Sequence, residues 1–254
     1  MKRRTFCQTA LASGAAALLP ACGMGDKTSA SVSGQGNSVA AISRVGEQIT
    51  VPSALAADFA DSLEGRLLQS GDGGYDSARR VWNGMIDKHP AFIAQCATPG
   101  DVVNAVNFAR EQDLLVAVRC GGHSFPGKST CDGGLIIDLS GMHAVAVDAA
   151  NMQARVGGGA LLGHIDTATH AQKLGTTTGI VSHTGAGGFT LGGGYGRTDR
   201  LIGLAVDNLL EATIVTASGD MPRCSETENP DLFWAIRGGG GNFGVATDFV
   251  FRLY

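Results

Sequence analysis

Long apolar runs, aromatic residues and a surplus of charge of either sign are all scarce in these 254 residues. Aromatics make up 6%, with two tryptophans and three tyrosines, and the formal net charge is only −4. Lys and Arg are scattered, which excludes the phosphate-neutralising stripe of a nucleic-acid binder. Beyond residue 22 no stretch approaches the roughly 20 apolar residues of a bilayer-spanning helix. Six cysteines occur without a single C-x-x-C, and a metal site built from Cys120, His123 and Cys131 has gaps that match no common zinc pattern. What the chain holds in excess is glycine, 38 residues gathered into a few dense stretches.

The first 40 residues read as an address followed by a tether. Lys2-Arg3-Arg4-Thr5-Phe6 precedes a weakly apolar, Ala-rich stretch and resembles a twin-arginine export signal, which serves proteins that fold around a cofactor before export. The bland alternative is a short basic amphipathic tail. Leu19-Pro20-Ala21-Cys22 resembles a lipobox, implying a diacylglyceryl anchor on Cys22, and the Gly, Ser, Ala and Asn of residues 24–40 have linker composition. Export would expose Cys96, Cys120, Cys131 and Cys224 to an oxidising compartment, where disulfides become possible; sequence does not say which would pair.

Residues 41–88 read as a lead-in segment, with a helix over Ser53 to Gly65. From residue 89 the pattern is α+β. Pro99-Gly100-Asp101 starts a helix whose Val102, Val103, Val106 and Ala109 recur at helical spacing. Leu114 to Val118 and Leu135 to Leu139 read as buried strands, and Ala144 to Val147 with Gln153 to Val156 as a hairpin. Ala160 to Gln172 reads as a helix, Leu209 onward as a second hairpin around Ser218-Gly219-Asp220, and Val245 to Leu253 as a closing strand. Ending inside a strand, the chain reads as truncated.

Two nucleotide motifs fail in context. Gly122 to Ser129 spells GxxxxGKS, but that loop needs a helix beginning at its Lys and Ser, and here Thr130-Cys131-Asp132-Gly133-Gly134 turns into the next strand. Leu135 to Asp138 also follows too soon for a parallel crossover, which takes about a dozen residues or more. Gly239 to Gly244 spells GxGxxG, with a helical segment before it and a strand after, the reverse of the dinucleotide order. Such glycines still let backbone approach a large flat ligand and form anion-binding nests.

Three stretches remain: Arg119-Cys120-Gly121-Gly122-His123-Ser124, Gly179 to Gly196, and Arg237 to Gly244. Their order and wording, with Asp207-Asn208 and Asp231-Leu232-Phe233-Trp234, resemble the PCMH-type FAD-binding domain of the vanillyl-alcohol oxidase superfamily, in its berberine-bridge-enzyme-like branch. The resemblance runs from about His89 to the C-terminus, placing that domain, of two α/β subdomains, at residues 89–254 and leaving a C-terminal substrate domain missing.

In that family R-x-G-G-H-S supplies the histidine bonded to the flavin 8α carbon, which falls on His123; a neutral imidazole is the nucleophile. The resemblance places Arg119, Gly121, Gly122, Ser124, Ser182, Thr184, Gly185, Gly188, Gly192 and Val245 around FAD. Many relatives carry a second flavin link through cysteine where this chain has Val181, implying a single bond, and a histidine near the flavin pyrimidine edge where it has Phe189. His183 reads as an exposed loop residue. Asp231 and Trp234 read as helix cap and core, and Phe125 and Tyr195 as substrate-side aromatics or packing. The implied activity is hydride transfer from an alcohol, sugar or amine C–H bond to flavin, with dioxygen or another acceptor reoxidising it. The family's bases belong to the missing half, so no catalytic base is nominated. The rival reading is a noncatalytic flavin-carrying half.

Overall fold

The structure, a computed structural model, describes residues 38–254; the export signal, the lipobox and Cys22 lie outside the described residues. β1 (Ser38–Ile42) and β2 (Gln48–Pro52) form a hairpin whose turn carries Gly46 at φ +88°. α1 (Ser53–Asp61) turns Ala56 and Phe59 inward, and β3 (Arg66–Leu68) and the single turn α2 (Tyr75–Ala78) follow. Next come β4 (Phe92–Gln95), α3 (Pro99–Glu111), β5 (Val116–Arg119) and β6 (Leu135–Asp138). They build one sheet in the order β3-β4-β6-β5, with β3 antiparallel and the rest parallel. Phe92, Ala94, Leu135 and Ile137 face one core and Ile93 and Ile136 the other. These continuous apolar runs are what a sheet covered on both faces demands.

The second sheet begins with the hairpin β7 (Val145–Asp148) and β8 (Gln153–Gly157). After α4 (Leu162–His170), α5 (Ala186–Leu191) and α6 (Asp199–Ile202), it is completed by β9 (Leu209–Val215), β10 (Arg223–Ser225) and, beyond α7 (Pro230–Ile236), β11 (Val245–Arg252). Its order is β10-β9-β11-β8-β7, antiparallel throughout. Ala154, Ala212, Phe249 and Phe251 form its core with Phe233 and Ile236 of α7. Val215 and Val245, at the ends of β9 and β11, pack into the same cluster as Phe108 of α3, joining the two sheets. No helix of the described residues is long and apolar enough to cross a membrane.

The lead-in is part of the first subdomain rather than an approach to it. β3 hydrogen-bonds to β4, and Phe59 stacks on Phe108 with ring centroids 4.1 Å apart. Asp101 completes the tie. It closes a capping box with Thr98, and its buried carboxylate also accepts from the backbone N–H groups of Ala97 (2.8 Å), Glu64 (2.8 Å) and Gly65 (3.0 Å). One side chain thereby satisfies both the helix start and the loop before β3.

Two further expectations need correction. β5 and β6 are parallel neighbours joined by residues 120–134, so the spacing objection to a crossover fails; the phosphate-loop reading falls on the other ground, because no helix begins at Lys128 or Ser129. Trp234 is 74% exposed, not core, and Asp231 lies in the first turn of α7 rather than at its cap, which is Asn229. At helical spacing Phe233 and Ile236, with Leu232 beside them, face the second sheet, leaving Trp234 on the outer face.

Candidate functional site

The three glycine stretches converge on one cleft of about 980 Å³. The loop leaving β5 supplies Gly121, Gly122, His123 and Ser124; the segment entering α5 supplies Thr184, Gly185, Gly188 and Gly192; Gly238 to Gly241 and Val245 form a third wall. Of the residues expected around the ligand, these line the cleft. Arg119 and Ser182 do not. The Arg119 guanidinium turns to the carbonyl of Ala78 (2.6 Å) and the buried carboxylate of Asp138 (3.2 Å), tying the ends of β5 and β6. The Ser182 carbonyl is engaged by the N–H of Gly163 at 2.8 Å. Phe125 and Tyr195, 74% and 77% exposed, also lie outside the lining. Phe189 lines the cleft, and its ring packs within 3.0 Å of where side chains on Gly179 and Gly194 would begin.

The glycines do two different things. Gly121 and Gly185 bring the first two loops into backbone contact, whereas Gly188, Gly240 and Gly241 have nothing within 4 Å of where a Cβ would stand. Side chains there would project into the cleft. Gly122, with φ +67°, turns the chain so that His123 follows on the wall. The N–H groups of Gly122, His123 and Ser124 find no acceptor among the described residues, and so offer donors to an anionic ligand. The Ser124 hydroxyl is committed elsewhere, accepting from the N–H of Lys128 at 3.0 Å.

His123 is held on two sides. Trp82 stacks on its ring at a centroid distance of 5.2 Å and an interplanar angle of 19°, and the Trp82 N–H donates to the Gly122 carbonyl at 3.0 Å. On the other side the Nε2 atom of His123 lies 2.5 Å from Nδ1 of His183. Partial burial and then the neighbouring His183 hold the His123 pKa below the usual imidazole value, which keeps the ring neutral and nucleophilic. Both neighbours escape sequence reading: Trp82 precedes the motif in an irregular segment, and His183 lies 60 residues further on.

Residues 90–225 match the family model described as FAD binding domain. The chain belongs to the PCMH-type FAD-binding family of the vanillyl-alcohol oxidases. This flavoprotein chain is 42% identical over 195 residues to (R)-6-hydroxynicotine oxidase of Paenarthrobacter nicotinovorans, spanning 76% of the chain and 42% of that enzyme. It also superposes on the structure of Physcomitrella patens BBE-like 1 with a TM-score of 0.75 and 32% identity, covering 79% of this chain and 44% of that one. A third likeness, TM-score 0.73 and 34% identity over 80% of this chain and 42% of that one, is to the glucooligosaccharide oxidase of Acremonium strictum, described as carrying a 6-S-cysteinyl, 8α-N1-histidyl FAD. The flavoprotein thus spans less than half the length of these relatives.

FAD fits the residues present. The cleft lies at the upper end of the range for small-molecule sites, its bare glycines admit a flat ring, and the N–H groups of residues 122–124 suit its pyrophosphate.

Proposed function

We propose that this chain is the flavin-binding part of an exported FAD-dependent oxidoreductase in which His123 carries the flavin covalently. The observation that supports the reading most is the placement of His123, a neutral imidazole on the cleft wall, clamped by Trp82 and facing His183. When bound, FAD accepts a hydride from a C–H bond beside an alcohol, sugar or amine and passes the electrons to dioxygen or another acceptor. The chain's own residues bind and orient. Gly188, Gly240 and Gly241 leave room for the ring, the N–H groups of residues 122–124 hold the pyrophosphate, and His123 prevents loss of the group. At the place where many relatives attach flavin through cysteine this chain has Val181, so the link is single.

The electron donor and acceptor are small molecules. Export follows the twin-arginine route, to the periplasm, to a lipid anchor on Cys22, or to the outside of the cell. The test is direct: protein made with ample riboflavin and precipitated in acid stays yellow and fluoresces on a denaturing gel, and the His123→Ala protein does not. Colourless wild-type precipitate refutes the covalent reading.

A second reading, flavin carriage without turnover, is favoured by one observation: among the described residues the cleft lining contains no Asp, Glu or Tyr to serve as a base. Turnover by the 254-residue chain is accordingly expected to be slow or absent. Robust peroxide production by the purified protein would contradict it.

A further inference from the structure

We propose that Lys128 is a phosphate-binding residue of the cleft, its ammonium supplying the countercharge to the pyrophosphate of a dinucleotide. The inference rests on the FAD reading above, which puts that pyrophosphate on the N–H groups of residues 122–124, and adds the charge that those groups lack. Among the described residues the cleft lining holds two charged side chains, Lys88 and Lys128, and both are cations. A pyrophosphate brings negative charge to this wall, and no carboxylate of the described residues lines the cleft to oppose it. The two lysines differ in what they already hold. Nζ of Lys88 donates to the Thr130 carbonyl at 3.4 Å, whereas the Lys128 ammonium has neither a hydrogen-bond partner nor an ion pair among the described residues.

The backbone sets Lys128 beside the donors. Ser124 closes a tight turn onto it twice, its carbonyl accepting from the Gly127 N–H at 3.0 Å and its hydroxyl from the Lys128 N–H at 3.0 Å. Gly127, at φ +73°, makes the turn possible and lies against Ile86, whose Cγ2 is 2.8 Å from where a Cβ would stand. The turn is thereby packed onto the segment that carries Trp82. Lys128 starts one hydrogen bond away from Ser124, the last of the three residues whose N–H groups find no acceptor. Its four-carbon stem and rotating ammonium let it meet a phosphate oxygen as a point charge. The GxxxxGKS wording thus has a use that needs no helix: the turn N–H groups and the lysine act together without a helix dipole behind them. The assignment carries a selectivity. FAD and ADP, which bear the pyrophosphate, gain from Lys128, and riboflavin, which has the same ring as FAD and no phosphate, does not.

The experiment measures equilibrium affinities for FAD, ADP and riboflavin in a His123→Ala background, where no covalent bond can remove the complex from equilibrium. Lys128→Met and Lys128→Arg are added to it, and thermal melting of each apo-protein checks folding. Lys128→Met is expected to weaken FAD and ADP on the order of tenfold, the low end for a charged hydrogen bond, and to leave riboflavin unchanged. Lys128→Arg keeps the charge and should stay within about threefold of the background for all three ligands. Raising salt from about 20 mM to about 500 mM should weaken FAD in the background protein and do so less in Lys128→Met. Unchanged FAD and ADP affinity in Lys128→Met overturns the proposal. So does an equal loss for riboflavin, which would show that the side chain acts through the loop rather than on phosphate, and so does a Lys128→Arg protein as weak as Lys128→Met. A folded background protein that binds neither FAD nor ADP instead sinks the reading of the cleft on which the proposal rests.

Discussion

Gly121 and Gly185 touch backbone to backbone: a Cβ on Gly121 would stand 2.3 Å from the Gly185 nitrogen, and one on Gly185 would stand 2.4 Å from the Gly121 nitrogen. The contact sets the spacing between the loop that carries His123 and the loop that carries His183. Neither atom in the way is the end of a flexible side chain, so relief requires a loop to move. Gly121→Ala is therefore expected to cost about 1–3 kcal/mol, as overpacking does, and to separate the two imidazoles. Thermal unfolding should show the loss of stability, and acid-stable flavin should fall with it. A Gly121→Ala protein with wild-type melting and flavin content would show that the loops are held by something else.

Gly188 gives the opposite expectation for stability. It sits in α5 with ordinary helical φ and nothing within 4 Å of a Cβ position, so alanine suits the backbone. Gly188→Ala should stabilise the apo-protein by about 0.5–1 kcal/mol through helix propensity. The added methyl projects into the cleft, however, and FAD affinity should drop. A higher melting temperature with weaker FAD quenching checks both halves; unchanged affinity would mean that this wall of the cleft does not meet the ligand.

What could be read without the structure was whatever depends on neighbours in sequence. Pro99-Gly100-Asp101 starts α3, the apolar runs at Leu114 and Leu135 lead into β5 and β6, and the β7–β8 and β9–β10 hairpins fall near their turn residues. The glycine stretches located the cleft because backbone approach needs glycine wherever the chain goes next. What escaped depends on distant partners. Phe59 finds Phe108, and Asp101 reaches back to Glu64 and Gly65, so residues 41–88 belong to the first subdomain although their own pattern is weak. Arg119, in the midst of the flavin motif, serves Asp138 and not the cleft, since an arginine's reach leaves its direction undetermined by sequence.

The Arg119–Asp138 pair is the buried polar link between β5 and β6. Asp138 is fully buried and accepts from the Ser140 N–H at 3.0 Å as well as from Arg119. Asp138→Asn leaves the guanidinium mostly buried without a counter-charge, and breaking such a pair costs about 3–5 kcal/mol. The lower end is expected because the Arg119 side chain keeps 19% exposure. The double variant Arg119→Met with Asp138→Leu orphans no charge and should be the more stable of the two in urea. If Asp138→Asn unfolds at the wild-type midpoint, the ion pair contributes nothing.

The four described cysteines are free, and Cys96, Cys131 and Cys224 sit in three separate cores. Burial raises all four thiols, Cys131 and Cys224 to about 11, so thiolate is scarce at neutral pH. Alkylation of the native protein followed by peptide mass spectrometry should leave the buried Cys96, Cys131 and Cys224 unmodified, and denaturant should expose them. A disulfide among Cys96, Cys131 and Cys224, even after export, would require the cores to open first.

The lowered pKa of His123 makes two effects of pH follow in step. A free imidazole is half protonated near pH ~6.5, but burial and then His183 disfavour the charged ring here. The neutral form, the only nucleophile, survives further into acid, so covalent incorporation should hold its plateau below pH ~6.5. Because the unfolded chain binds the proton more readily, stability contributed by this group is present above ~6.5, declines as pH falls through that value, and levels off once the folded state also protonates. Replacing His183 with glutamine removes the second cause and should move the incorporation midpoint up toward the ordinary value, without reaching it while burial persists. Rates of acid-stable fluorescence gained between about pH 5 and about pH 8 decide the matter. A wild-type midpoint at or above ~6.5 would mean that burial and His183 do not disfavour the charged ring.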